Sequence, residues 1–260
     1  MKLGFGSSGW SVFVVIALLL GSCTSPNDST IAESPVTDEI VEPTAPAVAA
    51  LPAADELTEG LVRLDGKATV EIKVGSQTIT AELDGDQAPY TAGNFVDLAQ
   101  KGVYDGTVFH RVVRDPQPFV VQGGDPQSTD PNVPTARLGT GGYIDEATGS
   151  ERQIPLEILP VEGDEPVYGV TFPDAGLAAT PVLNHRRGAI AMARSGTNTA
   201  SAQFYIALAD LPFLDGSYAV FGYVTDGMDS VDDIQLGDVI TSVTVTSGGD
   251  NLVQPEATAE

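Results

Sequence analysis

The chain has 260 residues, 36 of them Asp or Glu against 12 Lys or Arg, for a formal net charge of −24, with one Cys and two His. That balance excludes duplex binding by phosphate neutralisation and a polybasic membrane contact, and the single Cys excludes an internal disulfide and any Cys-rich zinc site. What is left is room for one ordinary domain or two small ones, with a chemistry resting on few cations.

The N-terminus reads as a targeting segment. After Lys2 an apolar run extends from Trp10 to Leu20, broken only by Ser11. It is shorter than the about 20 residues a bilayer span needs, and it fits the apolar region of a secretory signal. Leu20-Gly21-Ser22-Cys23 follows and resembles the bacterial lipobox. The resemblance implies a signal peptide over residues 1–22 and a diacylglyceryl thioether on Cys23, which would tie the chain to a membrane of the bacterial envelope. A plain signal peptide followed by an incidental Cys is the other reading.

Residues 23–60 hold eight acids, no base and five prolines, with no sustained apolar period. Such a stretch cannot offset its ordering entropy by burial and reads as a self-repelling tether. Residues 249–260 read as a disordered acidic tail. The folded domain is expected between them, over 61–248.

Val70, Ile72 and Val74 alternate with polar residues, as do Ile79, Ala81 and Leu83 after a turn at Gly75-Ser76. Two period-two runs joined by a short Gly-containing turn predict a β-hairpin. The period then lengthens. Thr91 is placed to cap a helix with Phe95, Leu98 and Ala99 on one face and Gly102 at its end. Strands are expected over 107–113, 119–122, 153–158, 188–193, 203–208 and 219–224. A short helix over 228–234 and a last strand through Thr241, Val243 and Val245 complete the pattern. The stretch from Pro126 to Asn184 is rich in Gly and Pro and reads as a functional loop or an insertion. Many short strands with two helices predict a mainly β fold, a closed antiparallel barrel with helical caps.

Five words then occur in order: Phe109-His110-Arg111-Val112; Phe119-Val120-Val121-Gln122-Gly123-Gly124-Asp125; Gly188 to Ala193; Ser201-Ala202-Gln203-Phe204-Tyr205-Ile206; and Phe213-Leu214-Asp215-Gly216. With them the sequence resembles the cyclophilins, a family of peptidyl-prolyl cis–trans isomerases, over about Ala68 to Val245. The resemblance implies a closed eight-stranded antiparallel barrel capped by two α-helices, in keeping with that pattern, with no metal and no cofactor. It also implies a partner class of proline-containing unfolded or extended proteins, and a monomeric enzyme that assists the folding of envelope proteins.

Rotation about a peptide bond costs about 18–20 kcal/mol because resonance stiffens C–N. A catalyst of X–Pro rotation needs no nucleophile; it must bind the twisted amide better than either planar form. A donor aimed at the prolyl nitrogen does this, since that nitrogen gains a lone pair as resonance is lost. The resemblance makes Arg111 that donor and Gln122 the amide that orients the arginine or the substrate carbonyl. It assigns Phe119, Val120, Tyr205, Phe213, Leu214 and Tyr218 to a proline pocket and Gln203 to its wall. Ala193, Arg194 and Ser195 become the segment that pairs with an extended substrate backbone. By residue type alone, Arg111 would be a surface ion pair and the apolar residues ordinary core.

The sequence departs from the family in places. Residues 114–118 are longer than the usual turn, Val120 replaces Met, Arg194 replaces Asn, Tyr205 replaces Phe, Phe213 replaces Trp and Tyr218 replaces His. These changes keep the pocket apolar or aromatic and predict reduced cyclosporin affinity. Arg111, Arg114 and Arg194 are expected to make the site cationic. His110 is expected on the opposite face as a satisfied structural residue. His185, beside Arg186 and Arg187, reads as part of a surface cluster. Gly139-Thr140-Gly141-Gly142 lacks a phosphate-loop ending and reads as a flexible turn. The altered groove keeps a rival reading open, a cyclophilin scaffold that binds peptides and turns over little.

Overall fold

Strict alternation makes the first hairpin of the sheet. In the computed structural model, which describes residues 53–255, β1 (Arg63–Leu64) is followed by β2 (Lys67–Val74) and β3 (Gln77–Asp84). The last two pair antiparallel in unbroken register, Ile72 opposite Ile79. Gly75, at φ 57°, takes the left-handed turn position that an L side chain resists. Val70, Ile72, Ile79, Ala81 and Leu83 all point inward and are fully buried.

The helix expected from Thr91 begins earlier. α1 (Ala54–Thr58) is a single short turn; α2 (Pro89–Gln100) starts with proline at its first position and has no side-chain cap of its own. Its cap comes from a distant residue. Glu157 Oε2 accepts from the Thr91 N–H and hydroxyl at 2.8 and 2.7 Å, and Oε1 accepts from the Tyr90 N–H at 3.2 Å. Thr91 is thus a donor inside the helix rather than its cap. The helix is buried from Thr91 to Ala99 and plugs one mouth of the curled sheet. Phe95 packs on Tyr104, Phe204 and Phe221 with ring centroids 4.8, 5.2 and 5.2 Å apart.

The chain continues through β4 (Arg111–Val113), β5 (Val120–Gly123), β6 (Glu157–Ile158), β7 (Val167–Tyr168), β8 (Ala189–Met192), β9 (Phe204–Ala207) and β10 (Val220–Asp226). α3 (Met228–Asp233), β11 (Ile240–Ser247) and β12 (Leu252–Val253) end it. Eight strands form one antiparallel sheet in the order β11-β2-β3-β10-β8-β9-β5-β4.

Several expectations are corrected. The sheet is a curled half-barrel, open rather than closed. Its edges, β4 and β11, do not pair as strands. Residues 107–109 instead pass 237–240 with one bridge, Val108 to Val239. The Phe109 N–H donates to Asp238 O at 2.9 Å and the Ile240 N–H to Thr107 O at 2.7 Å. Gly237, at φ 91°, turns the chain away before a ladder can extend. The expected strand over 107–113 therefore shrinks to β4. That over 153–158 shrinks to β6, with Ile154 making a lone bridge to Ala200.

The tail expected to be disordered is folded through Val253. Gly248 (φ 73°) reverses the chain, and β12 pairs with β1, Leu252 opposite Leu64. Leu252 packs against the main core, so apolar burial holds the segment. The tether's last residues contain α1, whose Thr58 is buried. The signal segment, Cys23 and the tether before residue 53 lie outside the described residues, as does the chain beyond 255.

Candidate active site

The pairing register puts two different surfaces on the two faces of the sheet. Along β5, β8 and β9, Val121, Ile190, Phe204 and Ile206 face the main core with α2. Their neighbours Val120, Ala189, Ala191, Tyr205 and Ala207 face outward. There they form a second apolar cluster, against which Phe119, Leu214 and Tyr218 pack half-buried. Directly opposed residues share a face. Arg111 opposes Gln122, Gln122 opposes Tyr205, and Tyr205 opposes Ala191. One row across three strand pairings thus carries a cation, an amide and the edge of an apolar pocket.

Side chains continue this row as a directed chain of hydrogen bonds. Arg111 Nη1 donates to Gln122 Oε1 at 3.2 Å, Gln122 Nε2 donates to Gln203 Oε1 at 3.1 Å, and Gln203 Nε2 donates to Gly141 O at 2.6 Å. The guanidinium carbon stands 5.4 Å from the Phe119 ring centroid, a cation–π distance. Arg111 is therefore held on two sides while its other N–H groups face the cleft.

The cleft has a volume of about 470 Å3. Arg111, Phe119, Val120, Gln122, Ala193, Arg194, Ser195, Gln203, Tyr205, Leu214 and Tyr218 all line it. Phe213 stands apart from the lining, 70% exposed, with its ring stacked on Phe119 at 6.0 Å. It forms an outer rim and not a pocket wall. The Tyr205 and Tyr218 rings meet edge to face at 6.2 Å. The Arg194 guanidinium lies 4.5 Å from the Tyr218 centroid and donates to Ser217 O, so it covers that ring. In the segment expected to pair with substrate, the Ala193 N–H already donates to Gln203 O at 2.9 Å and the Ser195 N–H to Thr199 Oγ1 at 3.2 Å.

Arg114 is not a site cation. Its Nη2 donates to Val231 O and Asp232 O at 3.3 and 2.7 Å, the carbonyls at the C-terminal end of α3. A helix C-terminus attracts a cation, and here it draws the longer turn away from the cleft.

The glycine-rich stretch read as a flexible turn is the opposite wall. Gly139, Thr140 and Gly141 line the cleft. Asp125, fully buried, holds them, its Oδ2 accepting from the Gly139 N–H at 2.6 Å and the Gly141 N–H at 3.2 Å. A Cβ at Gly141 would collide with Gln127 and Asp125. Glu151, Gln153, Thr199 and Ser201 also line it; Ser201 opens a family word, and no pattern in the sequence singles out the other three.

Both histidines differ from their reading. His110 is half-buried, its pKa lowered by that burial, and neither ring nitrogen has a hydrogen-bond partner among the described residues. His185 is 2% exposed and is not part of a surface cluster, although Arg186 and Arg187 next to it are exposed. Its Nδ1 lies 2.8 Å from Asp215 Oδ1 and its Nε2 2.9 Å from the Tyr205 hydroxyl. Burial lowers the His185 pKa and raises that of Tyr205 well above the ordinary phenol range. Among the described residues no group of three or more His, Cys, Asp or Glu side chains is placed to hold a metal ion.

Known proteins agree with this arrangement. The chain is 42% identical over 205 residues to a thylakoid lumen peptidyl-prolyl cis-trans isomerase of Synechocystis sp., covering 74% of this chain and 50% of that protein. It is 37% identical over 211 residues to a chloroplastic peptidyl-prolyl cis-trans isomerase of Arabidopsis thaliana, covering 74% of this chain and 45% of the relative. The chain thus spans about half the length of these relatives. A crystal structure of a cyclophilin type peptidyl-prolyl cis-trans isomerase of Cryptosporidium parvum superposes with a TM-score of 0.51 at 25% identity, over 70% of this chain and 98% of that one. The profile of the cyclophilin type peptidyl-prolyl cis-trans isomerases matches residues 69–251, from β2 to the turn before β12. That span contains the eight-stranded sheet apart from the first two residues of β2 and every residue of the cleft, and the chain belongs to the cyclophilin type peptidyl-prolyl cis-trans isomerase family.

Proposed function

We propose that the chain is a peptidyl-prolyl cis–trans isomerase acting on extended or unfolded segments. The observation that carries this is the Arg111 guanidinium, fixed 3.2 Å from a neutral amide and 5.4 Å from Phe119 at the mouth of an apolar pocket. The proline ring enters between Phe119, Val120, Tyr205, Leu214 and Tyr218. Gripping that ring lets the residue before it swing. As the C–N bond twists, the prolyl nitrogen pyramidalises, and an Arg111 N–H donates to its lone pair. The donor is worth more to the twisted amide than to either planar form, so the barrier falls. Main-chain polar groups around residues 193–195 align the substrate backbone. No proton is transferred and no covalent bond is made or broken.

A solved relative was crystallised in the presence of the dipeptide Ala-Pro, which supports a proline-containing ligand here. The compartment we propose is extracytoplasmic, with the chain lipid-anchored through Cys23 on a bacterial envelope membrane as a monomer. The named thylakoid lumen and chloroplastic relatives support a location outside the cytosol. Mass spectrometry of the mature N-terminus tests the anchor: a diacylated Cys23 is expected, and an unmodified one refutes it.

A proline-switch peptide assay on the wild type and Arg111→Ala tests the activity. The expected result is a loss of kcat/KM of at least about a hundredfold, equivalent to about 2.7 kcal/mol of transition-state stabilisation. Measurable peptide affinity in a wild type without catalysis would replace the enzyme with a binding module.

A further inference from the structure

Below the proline pocket lies a polar chain that reaches the floor of the cleft from behind. Tyr205 gives its ring to the cleft, yet the residue is only 5% exposed. Its hydroxyl points inward, 2.9 Å from His185 Nε2. His185 Nδ1 lies 2.8 Å from Asp215 Oδ1, and the same carboxylate oxygen accepts from the His185 backbone N–H at 2.8 Å. A carboxylate only accepts, so Nδ1 carries the imidazole proton, and Nε2 then accepts from the Tyr205 hydroxyl. The two rings lie nearly parallel, 16° apart with centroids at 6.1 Å.

We propose that His185, oriented by Asp215, is a positioning residue that holds the Tyr205 hydroxyl out of the pocket, so that a phenol serves as an apolar floor for the substrate proline. The proposal rests on the isomerase reading of the cleft. A desolvated hydroxyl without a partner is costly. Away from His185, Tyr205 lines the cleft and meets the Tyr218 ring edge to face, within an apolar cluster. Without His185 the hydroxyl gains a partner only by drawing water into the pocket, and an entering proline must then displace that water. The effect falls on substrate binding. Arg111 and Gln122 lie on β4 and β5 and keep their own bond, so the chemical step is spared.

His185→Asn tests this, because Asn keeps a donor in the place of Nδ1 for Asp215 and lacks the acceptor at Nε2. We expect KM to rise about fivefold, the worth of one neutral hydrogen bond, with kcat little changed. His185→Gln, which keeps an acceptor near Nε2, should raise KM less. Adding Tyr205→Phe to His185→Asn should bring KM back down, since it removes the hydroxyl that has lost its partner. A double variant no better than His185→Asn alone overturns the proposal, because His185 would then act through the fold. A second measurement needs no variant. Long-range proton–nitrogen NMR of the wild type should show His185 protonated on Nδ1, and protonation on Nε2 alone overturns the assignment. A wild type without catalysis would defeat the isomerase reading separately. The variants are then compared by Kd for a proline-containing tetrapeptide, with the same rescue expected.

Discussion

Asp125→Ala should loosen a wall of the cleft without touching a residue that meets substrate. Asp125 is fully buried and accepts three backbone N–H groups, from Gln127 at 2.9 Å, Gly139 at 2.6 Å and Gly141 at 3.2 Å. Alanine leaves all three donors without their acceptor. A buried donor left unpaired costs about 1–3 kcal/mol. Gly139 is exposed as a residue and water can reach that stretch, so the lower end applies, about 1 kcal/mol each and about 3 kcal/mol in all. For a domain of this size 1 kcal/mol moves Tm by about 2–4 °C, which gives a fall of about 6–12 °C. The functional effect follows from the carbonyl of Gly141, which accepts from Gln203 Nε2 at 2.6 Å. Once Gly141 drifts, Gln203 loses its fixed acceptor, and Gln122 and Arg111 lose their backing in turn. A fall in kcat/KM of about fivefold, one neutral hydrogen bond, is expected. Asp125→Asn keeps one acceptor oxygen and should show a smaller loss of both. Thermal unfolding and the peptide assay read the two effects. A Tm within about 2 °C of wild type, with unaltered kcat/KM, would refute the claim that Asp125 holds this wall.

Two other outcomes follow from the same geometry. Gln122→Glu should pair Arg111 with a full negative charge and remove the donor to Gln203 Oε1; kcat should fall by about tenfold or more, about 1.4 kcal/mol, and an unchanged kcat would contradict the role given to the neutral amide. Stability should decrease as the medium becomes more acid than the ordinary histidine pKa of 6.5, because burial lowers the folded-state pKa of both His185 and His110. In the window between the lowered value and 6.5 the unfolded chain binds the extra protons, so the loss reaches up to about 1.4 kcal/mol per pH unit for His185, with His110 acting in the same sense. Buried Glu157, whose pKa burial raises, acts oppositely: its contribution grows as pH falls through its folded-state pKa. Urea unfolding at pH 7.5, 6.5 and 5.5 measures the profile, and stability at pH 5.5 equal to or above that at 6.5 would be inconsistent with it.

Legibility in the sequence followed the range of the interactions involved. The β2–β3 hairpin was plain because alternation and Gly75 are local signals, and Val70, Ile72, Ile79 and Leu83 are where alternation put them. The body of α2 was visible for the same reason, but its cap was not, since Glu157 lies 66 residues beyond Thr91. The cleft was legible through the family words, which sit on adjacent strands; of the expected residues Phe213 and Arg114 miss it, Phe213 because the turn Pro212–Leu214 directs its ring onto Phe119 at the rim and Arg114 because the carbonyls ending α3 take its guanidinium. The wall at Gly139–Gly141 has no periodicity of its own. It exists because one buried carboxylate, supplied by another word, gathers its N–H groups. His185 was misread because Arg186 and Arg187 beside it mark a surface. Its burial is decided by Asp215 and Tyr205, which no local pattern connects to it. Strand patterns also carry no information on whether the two edges of a sheet meet, and here one bridge and a few backbone hydrogen bonds between residues 106–109 and 237–240 stand in place of a ladder.

The acidity of the chain sharpens the meaning of Arg111. The domain's other cations are largely tied to carboxylates or carbonyls. Lys67 bonds Glu82, Lys101 and Arg152 share Asp97, Arg187 forks onto Asp232, and Arg114 serves the end of α3. With 36 acids in the chain, a carboxylate partner would be the default for an exposed arginine. Arg111 instead has Gln122, an acceptor without charge, and a ring face that offers only its quadrupole. Both orient the guanidinium, and neither neutralises it. A carboxylate would orient it as well but would satisfy the charge before the substrate arrived, and the bond to the nascent prolyl lone pair would then have to compete with an existing ion pair. In the proposed mechanism a neutral partner leaves the field of the cation available at the moment the amide twists. The chain Arg111–Gln122–Gln203–Gly141 ends on a backbone carbonyl for the same reason: it passes orientation to the protein frame and brings no counter-charge back to the cleft.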